Sequence, residues 1–316
     1  APARAAIART TLAGTVETLA RNLRILALEQ EGQQASHHAL TLVAAEEYKK
    51  ALTSIDVALS DGSLLRGEVL SRWHDFVGTG DFFRSLDNTI GRLRDRVGSA
   101  LRGQPAAAQK VEDALETGIY AVVMDAAARA SEGTRARWRS TRAGRSLLQR
   151  LDAAPTPTGS ASPAGTSPEE EFSAAVAAEI RLWQASVLDM IREEGAGKRQ
   201  RARFLSLSVN AVAVLMMVAA FSLTGGLTGV EVGIAGGSGV VGAKLLESIF
   251  GEDAVRRMAT RARTDLLERM GALLREHGRP FTELLAETEP EVPAETVWDA
   301  ARSVHSLAEA MTAEGA

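Results

Sequence analysis

KRQRARFLSLSVNAVAVLMMVAAFSLTGGLTGVEVGIAGGSGVVGAKLLESIFG, residues 198–251, decides how the rest of this chain is read. Between Arg203 and Glu231 it carries no charge. Its first arm, 205–223, is apolar on every helical face, with small polar interruptions at Ser206, Ser208, Asn210 and Ser222. A helix of that length, at about 1.5 Å per residue, reaches across a hydrocarbon core of about 30 Å. A turn at 224–229 leads into a second arm that is uncharged only over 232–243, bounded by Glu231 and Lys244. So short a stretch suits a buried, re-entrant or interfacial segment better than a full span. From Gly233 onward, Gly237, Ser238 and Gly242 give this arm small residues that let helices approach closely in lipid.

Cations stand at both roots of the hairpin. Lys198, Arg199, Arg201 and Arg203 precede it, and Arg256, Arg257, Arg261 and Arg263 follow it. Such an arrangement keeps the roots on the cytoplasmic side and attracts anionic headgroups, at about 1 kcal/mol per cation near the surface. The expected membrane-inserting residues are Leu205, Leu207, Val214, Leu215, Met216, Met217, Phe221, Leu223 and Leu227. Lys198, Arg199, Arg201, Arg203, Arg256 and Arg257 are the expected anionic-lipid contacts, and Gly195, Gly197 and Gly251 the expected hinges. A soluble bundle with this hairpin wholly buried as its core fits the same residues, and that reading stays open.

Outside the hairpin the chain of 316 residues is polar and rich in helix formers, with 4% aromatic residues and no Cys. A formal net charge of −4 argues against nucleic acid as a general partner. The absence of Cys excludes a disulfide framework and thiolate chemistry, and fits a cytosolic setting. The opening APARAAIART lacks an initiator Met and a signal-peptide pattern, which points to a processed or excised fragment.

No convincing alternating strand is present, so the expected fold is all-α: an elongated bundle of long helices with the apolar hairpin as a paddle-like tip. Leu12, Val16, Leu19, Leu23 and Leu26 recur at alternating four- and three-residue steps, the seam of a helix packed lengthwise on another. Further helices are expected over 64–77, from Asp81 to about Leu101, and over 105–151 despite Gly118, Gly133 and Gly144. Residues 154–168 hold four of the nine prolines among Ser, Thr and Gly and read as a flexible linker. Ser167 before Pro168, with Glu170 three residues on, restarts a helix that reaches Glu194. The last helices are expected over 253–277 and 295–311, with Pro280, Pro290 and Pro293 punctuating the tail. The organisation is therefore stalk over 1–153, linker over 154–168, return helix over 169–197, hairpin over 198–251 and stalk again over 252–316.

Several motifs imitate chemistry. Gly237-Ser238-Gly239-Val240-Val241-Gly242 matches a dinucleotide fingerprint, but it lies inside the apolar arm with no strand before it. Gly195-Ala196-Gly197-Lys198 resembles a phosphate loop, yet Arg192 stands where the first glycine belongs and Arg199 replaces the hydroxyl. His37 and His38 are adjacent and diverge by about 100° on a helix, while His74, His277 and His305 have no partner at ligand spacing. Trp73, Trp138, Trp183 and Trp298 are scattered, as helix anchors would be. With no nucleophile, base or metal constellation, the chain is not expected to be an enzyme or to hold a cofactor or metal of its own.

DGSLLRGEVLSRWHDFVGTGDFF (61–83), ARFLSLSVNAV (202–212) and TGGLTGVEVGIAGGSGVVGAKLLESIFG (224–251) resemble the C-terminal half of actinobacterial dynamin-family large GTPases. That resemblance implies a helical stalk and a membrane paddle, coupled in the parent to a GTPase domain that uses GTP and Mg²⁺. This chain lacks any Walker A segment, so hydrolysis does not carry over to it. The implied partners are anionic membrane lipids and a second copy or a paired paralogue, at the cytoplasmic face of the plasma membrane. An α-helical pore-forming protein, which also keeps one apolar hairpin among long helices, remains an alternative, as does a membrane-anchored scaffold without a motor.

Overall fold

The computed structural model describes residues 2–60, 105–153, 167–194, 209–222, 246–247 and 250–313. Among them the fold is all-α, with seven helices and no strand: α1 (Pro2–Ser60), α2 (Pro105–Arg139), α3 (Arg142–Ala153), α4 (Pro168–Glu194), α5 (Val209–Ser222), α6 (Glu252–Glu287) and α7 (Ala294–Ala313). The expected helices at 64–101, most of the linker and the second hairpin arm lie outside the described residues.

Contacts divide the chain into two units. The first gathers the described residues of Ala1–Glu46, Gly133–Pro157 and Gly278–Ala316. In it α1 turns Ala20, Ala27, Leu40 and Ala44 inward, while Leu12, Leu19 and Leu26 stay 49–55% exposed. The expected leucine seam is thus replaced by an alanine stripe. Small side chains allow close backbone approach, and the half-buried Val16 and Leu23 are shared between stripe and surface. On α7, Ala294, Ala301 and Ala308 are buried at the same seven-residue interval. Gln30 Nε2 donates to the Val292 carbonyl at 2.7 Å, and Gln34 Oε1 accepts from the Ala294 N–H at 3.4 Å. Fully buried Trp138 donates Nε1–H to the Leu40 carbonyl at 3.2 Å and meets Phe281 edge-on, with ring centroids 5.3 Å apart.

Two sequence expectations need correction in this unit. The helix expected over 105–151 breaks at 140–141, because Thr141 Oγ1 accepts from the Gly144 N–H at 3.0 Å and restarts the chain as α3. A Cβ at Gly144 would overlap the Trp138 carbonyl, so glycine is required there sterically. In the other direction, α6 does not stop near His277 but continues through Pro280 to Glu287. Burial of Phe281, Leu284 and Leu285 offsets the loss of one backbone hydrogen bond.

The second unit gathers the described residues of Glu47–Glu132 and Thr158–His277. Four helices each bury one stripe there. These are Ala51, Ile55 and Leu59 of α1; Val111, Leu115, Ile119 and Val123 of α2; Val176, Ile180, Trp183 and Val187 of α4; and Val255, Met258, Ala262 and Leu266 of α6. Stripes at three- and four-residue steps are what amphipathic helices present to a shared core. α5 adds eight residues to that core, and Leu246 and Phe250, just before α6, also belong to it. A reciprocal cap starts α4: Ser167 Oγ accepts from the Glu170 N–H at 3.2 Å, and Glu170 Oε2 accepts from the Ser167 N–H at 2.8 Å.

Candidate functional site

α5 differs from every neighbour in having no polar face. Its residues from Val209 to Ser222 contain no charged side chain. Val212, Ala213, Val214, Met216, Met217, Ala219, Ala220 and Phe221 are all buried and together cover about 220° of the helix circumference, while the side chains of Ala211, Leu215, Val218 and Ser222 on the remaining arc lie outside the described set. A helix that is apolar all round must be enclosed by protein or by lipid. Here α5 packs against α4, where the Phe221 and Trp183 rings lie 5.8 Å apart at 39°. Trp183 is itself held by α6, donating Nε1–H to the Ala262 carbonyl at 2.7 Å. At about 1.5 Å per residue α5 is roughly 21 Å long. Among the described residues no helix is long and apolar enough to cross a membrane.

Of the expected membrane-inserting residues, Val214, Met216, Met217 and Phe221 lie together in this core. Leu215 is in α5, with its side chain outside the described set, and Leu205, Leu207, Leu223 and Leu227 fall outside the described residues. So do Lys198, Arg199, Arg201 and Arg203, with the hinge glycines Gly195 and Gly197. Gly251 is described. Its φ is +88° and its N–H donates to the Glu247 carbonyl at 2.8 Å, while its carbonyl accepts from the Val255 N–H at 3.1 Å to begin α6. A side chain at that φ is strained, so the junction between the hairpin's end and α6 demands glycine.

The cations after the hairpin separate into two groups. Arg263 turns inward and pairs with Asp56 of α1. Arg256, Arg257 and Arg261 stay on the exposed face of α6, with Arg256 bonded to Glu252 at 2.7 Å. Among the described residues, neither Arg257 nor Arg261 forms an ion pair. Both line a groove of about 780 Å³ between α4 and α6, together with Ser186, Thr260 and Thr264. Thr260, Thr264 and Ser186 drew no attention in the sequence, because a polar helix face reads as ordinary solvated surface.

Polar contacts clamp α4 to α6 beside this groove. Asp265 accepts from Ser186 Oγ at 2.8 Å and from Arg269 Nε at 3.0 Å, and Arg269 reaches Glu179 at 2.9 Å. Burial works against the Arg269 charge, but bonding to Glu179 and then Asp265 outweighs it and holds the pKa above its ordinary value. Gln184, on the buried arc of α4, is 6% exposed, and its Nε2 donor finds no acceptor among the described residues. His277 lies against Phe172, with ring centroids 4.5 Å apart, and its Nδ1 is hydrogen-bonded to Tyr48 Oη at 2.9 Å. Burial pushes its pKa down, against a smaller opposing pull from Glu169. Glu112 of α2 is shifted up, first by burial and then by the charges of Asp113 and Glu116. Among the described residues no three His, Asp or Glu side chains gather as metal ligands.

Compared with known proteins, the chain matches no family model, no curated protein and no solved structure.

Proposed function

We propose that this chain is the membrane-binding, self-associating stalk and paddle of a dynamin-like GTP-binding protein, with its insertion helix stowed inside its own bundle. The observation that carries this reading is α5: apolar around its whole circumference in sequence, buried at every one of its described side chains, and bracketed in sequence by cations. The helices that share its core, here its sheath, carry charged residues on their exposed faces, among them Arg129 of α2, Arg181 of α4 and Arg256 of α6. The positive φ at Gly251 supplies a junction at which the hairpin's end can reorient relative to α6. Self-association is supported by Leu12, Leu19 and Leu26, exposed on α1 at seven-residue steps. In this reading the elongated stalk transmits work done by a GTPase domain on another segment, at the cytoplasmic face of the plasma membrane. This chain itself performs no hydrolysis and needs no cofactor.

Co-sedimentation with anionic vesicles tests the proposal, read together with Trp183 emission by difference against Trp183→Phe. Wild type should pellet with vesicles, and the Trp183 component should shift as Phe221 leaves its ring. A chain that stays in the supernatant with unchanged emission would make α5 an ordinary core helix. Enclosure of α5 in solution also suits an α-helical pore-forming protein. Dye release separates the two: a pore former empties vesicles, whereas a paddle binds them without leakage.

A further inference from the structure

We infer that the groove between α4 and α6 is a binding site for a phosphoryl group, formed by Arg257, Thr260, Arg261 and Thr264. These four residues stand at i, i+3, i+4 and i+7 on α6, so they share one face and line one side of the groove, with Ser186 and Met190 of α4 opposite. Both guanidinium groups are exposed and, among the described residues, carry no ion pair. The threonines stand out against others in the molecule. Thr11, Thr18, Thr41, Thr53 and Thr117 each donate their hydroxyl to the carbonyl four residues back in their own helix. Thr260 and Thr264 make no such bond, which leaves two donors one turn apart beside two uncommitted guanidinium groups.

The acidic residues of the groove do not cancel this set. Asp265 is already committed to Ser186 and Arg269. Asp253 and Glu268 lie one turn beyond the two ends of the quartet, and Arg256 is held by Glu252. Asp265 lines the groove as well, but its carboxylate is turned to Ser186 and Arg269, so the donors not otherwise bonded there are those of Arg257, Thr260, Arg261 and Thr264. A tetrahedral dianion or diester with several acceptor oxygens matches such a set, and guanidinium forks bind it with directed bonds. The groove begins within two helical turns of Gly251, where the hairpin ends. A phosphodiester of an anionic lipid bound here would hold the root of the hairpin at headgroup level. As a lipid site the inference rests on the membrane reading above; as a phosphoryl site it does not.

The test uses the full chain with vesicles of phosphatidylcholine, with and without phosphatidylglycerol, and with inorganic pyrophosphate alone in a calorimeter. Arg257→Gln with Arg261→Gln should weaken binding to the anionic vesicles about 30-fold, from the usual contribution of two surface cations. Thr260→Val with Thr264→Val leaves charge unchanged and should still weaken it at least threefold. Arg275→Gln, an exposed cation elsewhere on α6, should change it less than twofold. Pyrophosphate that binds and displaces the vesicles identifies the phosphoryl group itself as the ligand; vesicle binding that pyrophosphate does not displace, yet still depends on both pairs, assigns the site to lipid headgroups. If wild type ignores vesicles but binds pyrophosphate through these residues, the groove stands and the insertion reading falls. A threonine pair without effect in both arms, or an arginine pair no more sensitive than Arg275, reduces the groove to diffuse surface charge and overturns the inference. In that event, vesicle insertion with a Trp183 shift would leave the membrane reading intact.

Discussion

Phe221→Leu should make the protein less stable in water and better at entering membranes. In the stowed state Phe221 is fully buried and stacks obliquely on Trp183, 5.8 Å between centroids. Losing an aromatic pair costs about 0.5–1.5 kcal/mol, and the imperfect refilling of its volume adds up to about 1.5 kcal/mol. A total near 2 kcal/mol is therefore expected on the stowed side. In hydrocarbon, Leu and Phe insert with nearly the same free energy, within about 0.3 kcal/mol. The difference falls on one side of the equilibrium, which is the condition for a population shift. Vesicle partitioning should rise about 30-fold while the released form remains the minor one. Sedimentation across a lipid titration measures the gain, and urea unfolding without lipid, at unchanged m-value, measures the loss of stability. If stability falls as calculated while partitioning stays flat or drops, α5 never leaves its sheath and the reasoning is refuted.

Gln184→Met should act in the opposite sense. It removes a buried donor that has no acceptor among the described residues, which costs about 1–3 kcal/mol, so the urea midpoint should rise and vesicle partitioning should fall. Below about pH 6.5 the unfolded chain gains a proton at His277 that the folded chain takes up only at lower pH. The stability it supports is complete above that value and declines as pH drops through the lowered pKa, so His277→Gln should flatten the acid limb of a stability–pH curve. Ser167→Ala should cost about 1 kcal/mol by opening the cap of α4, and a urea midpoint matching wild type would exclude a contribution from that cap.

Much of this architecture was legible because local rules and tertiary packing agree. The start of α4 is an example: Ser167, Pro168 and Glu170 announce a cap that forms with both reciprocal bonds. Trp138 and Trp183 were expected as anchors, and each is buried with its N–H on a backbone carbonyl of another helix. The α1 seam was read one position away from the truth because hydropathy ranks Leu above Ala. Contact distance favours the smaller residue, and Ala20 and Ala27 are the ones that turn inward. Gly144 reads in sequence as a mild helix penalty, whereas its requirement is steric and comes from Trp138. The His277–Tyr48 contact joins residues 229 positions apart, which no spacing rule reaches. In the groove, the face shared by Arg257, Thr260, Arg261 and Thr264 could be drawn on a helical wheel. The unspent hydroxyls could not, since a rotamer leaves no trace in the residue order.

The segment that decides the fold is also the one on which sequence had least power to choose. Uniform apolarity over 205–223 demands a surrounding without water, and hydrocarbon and a protein interior satisfy that demand almost equally. Moving α5 from one to the other therefore changes little in its own solvation. The balance rests on what α5 leaves behind: the inner stripe of α4, which it packs against, and the stripes of α1, α2 and α6 that share the core with α4, among them Ile55, Ile119, Ile180 and Met258. If those stripes met water, their exposure at about 25 cal/mol per Å² would forbid release. They already repeat at three- and four-residue steps, so the sheath can close on itself much as four amphipathic helices form a bundle. Gln184 would then regain an acceptor from water or a neighbour. On this argument release needs a sheath able to collapse, not a weakly bound α5. A larger residue at Ala126 or Ala262, both buried on sheath helices, should jam the collapsed state as well as the stowed one and lower vesicle partitioning.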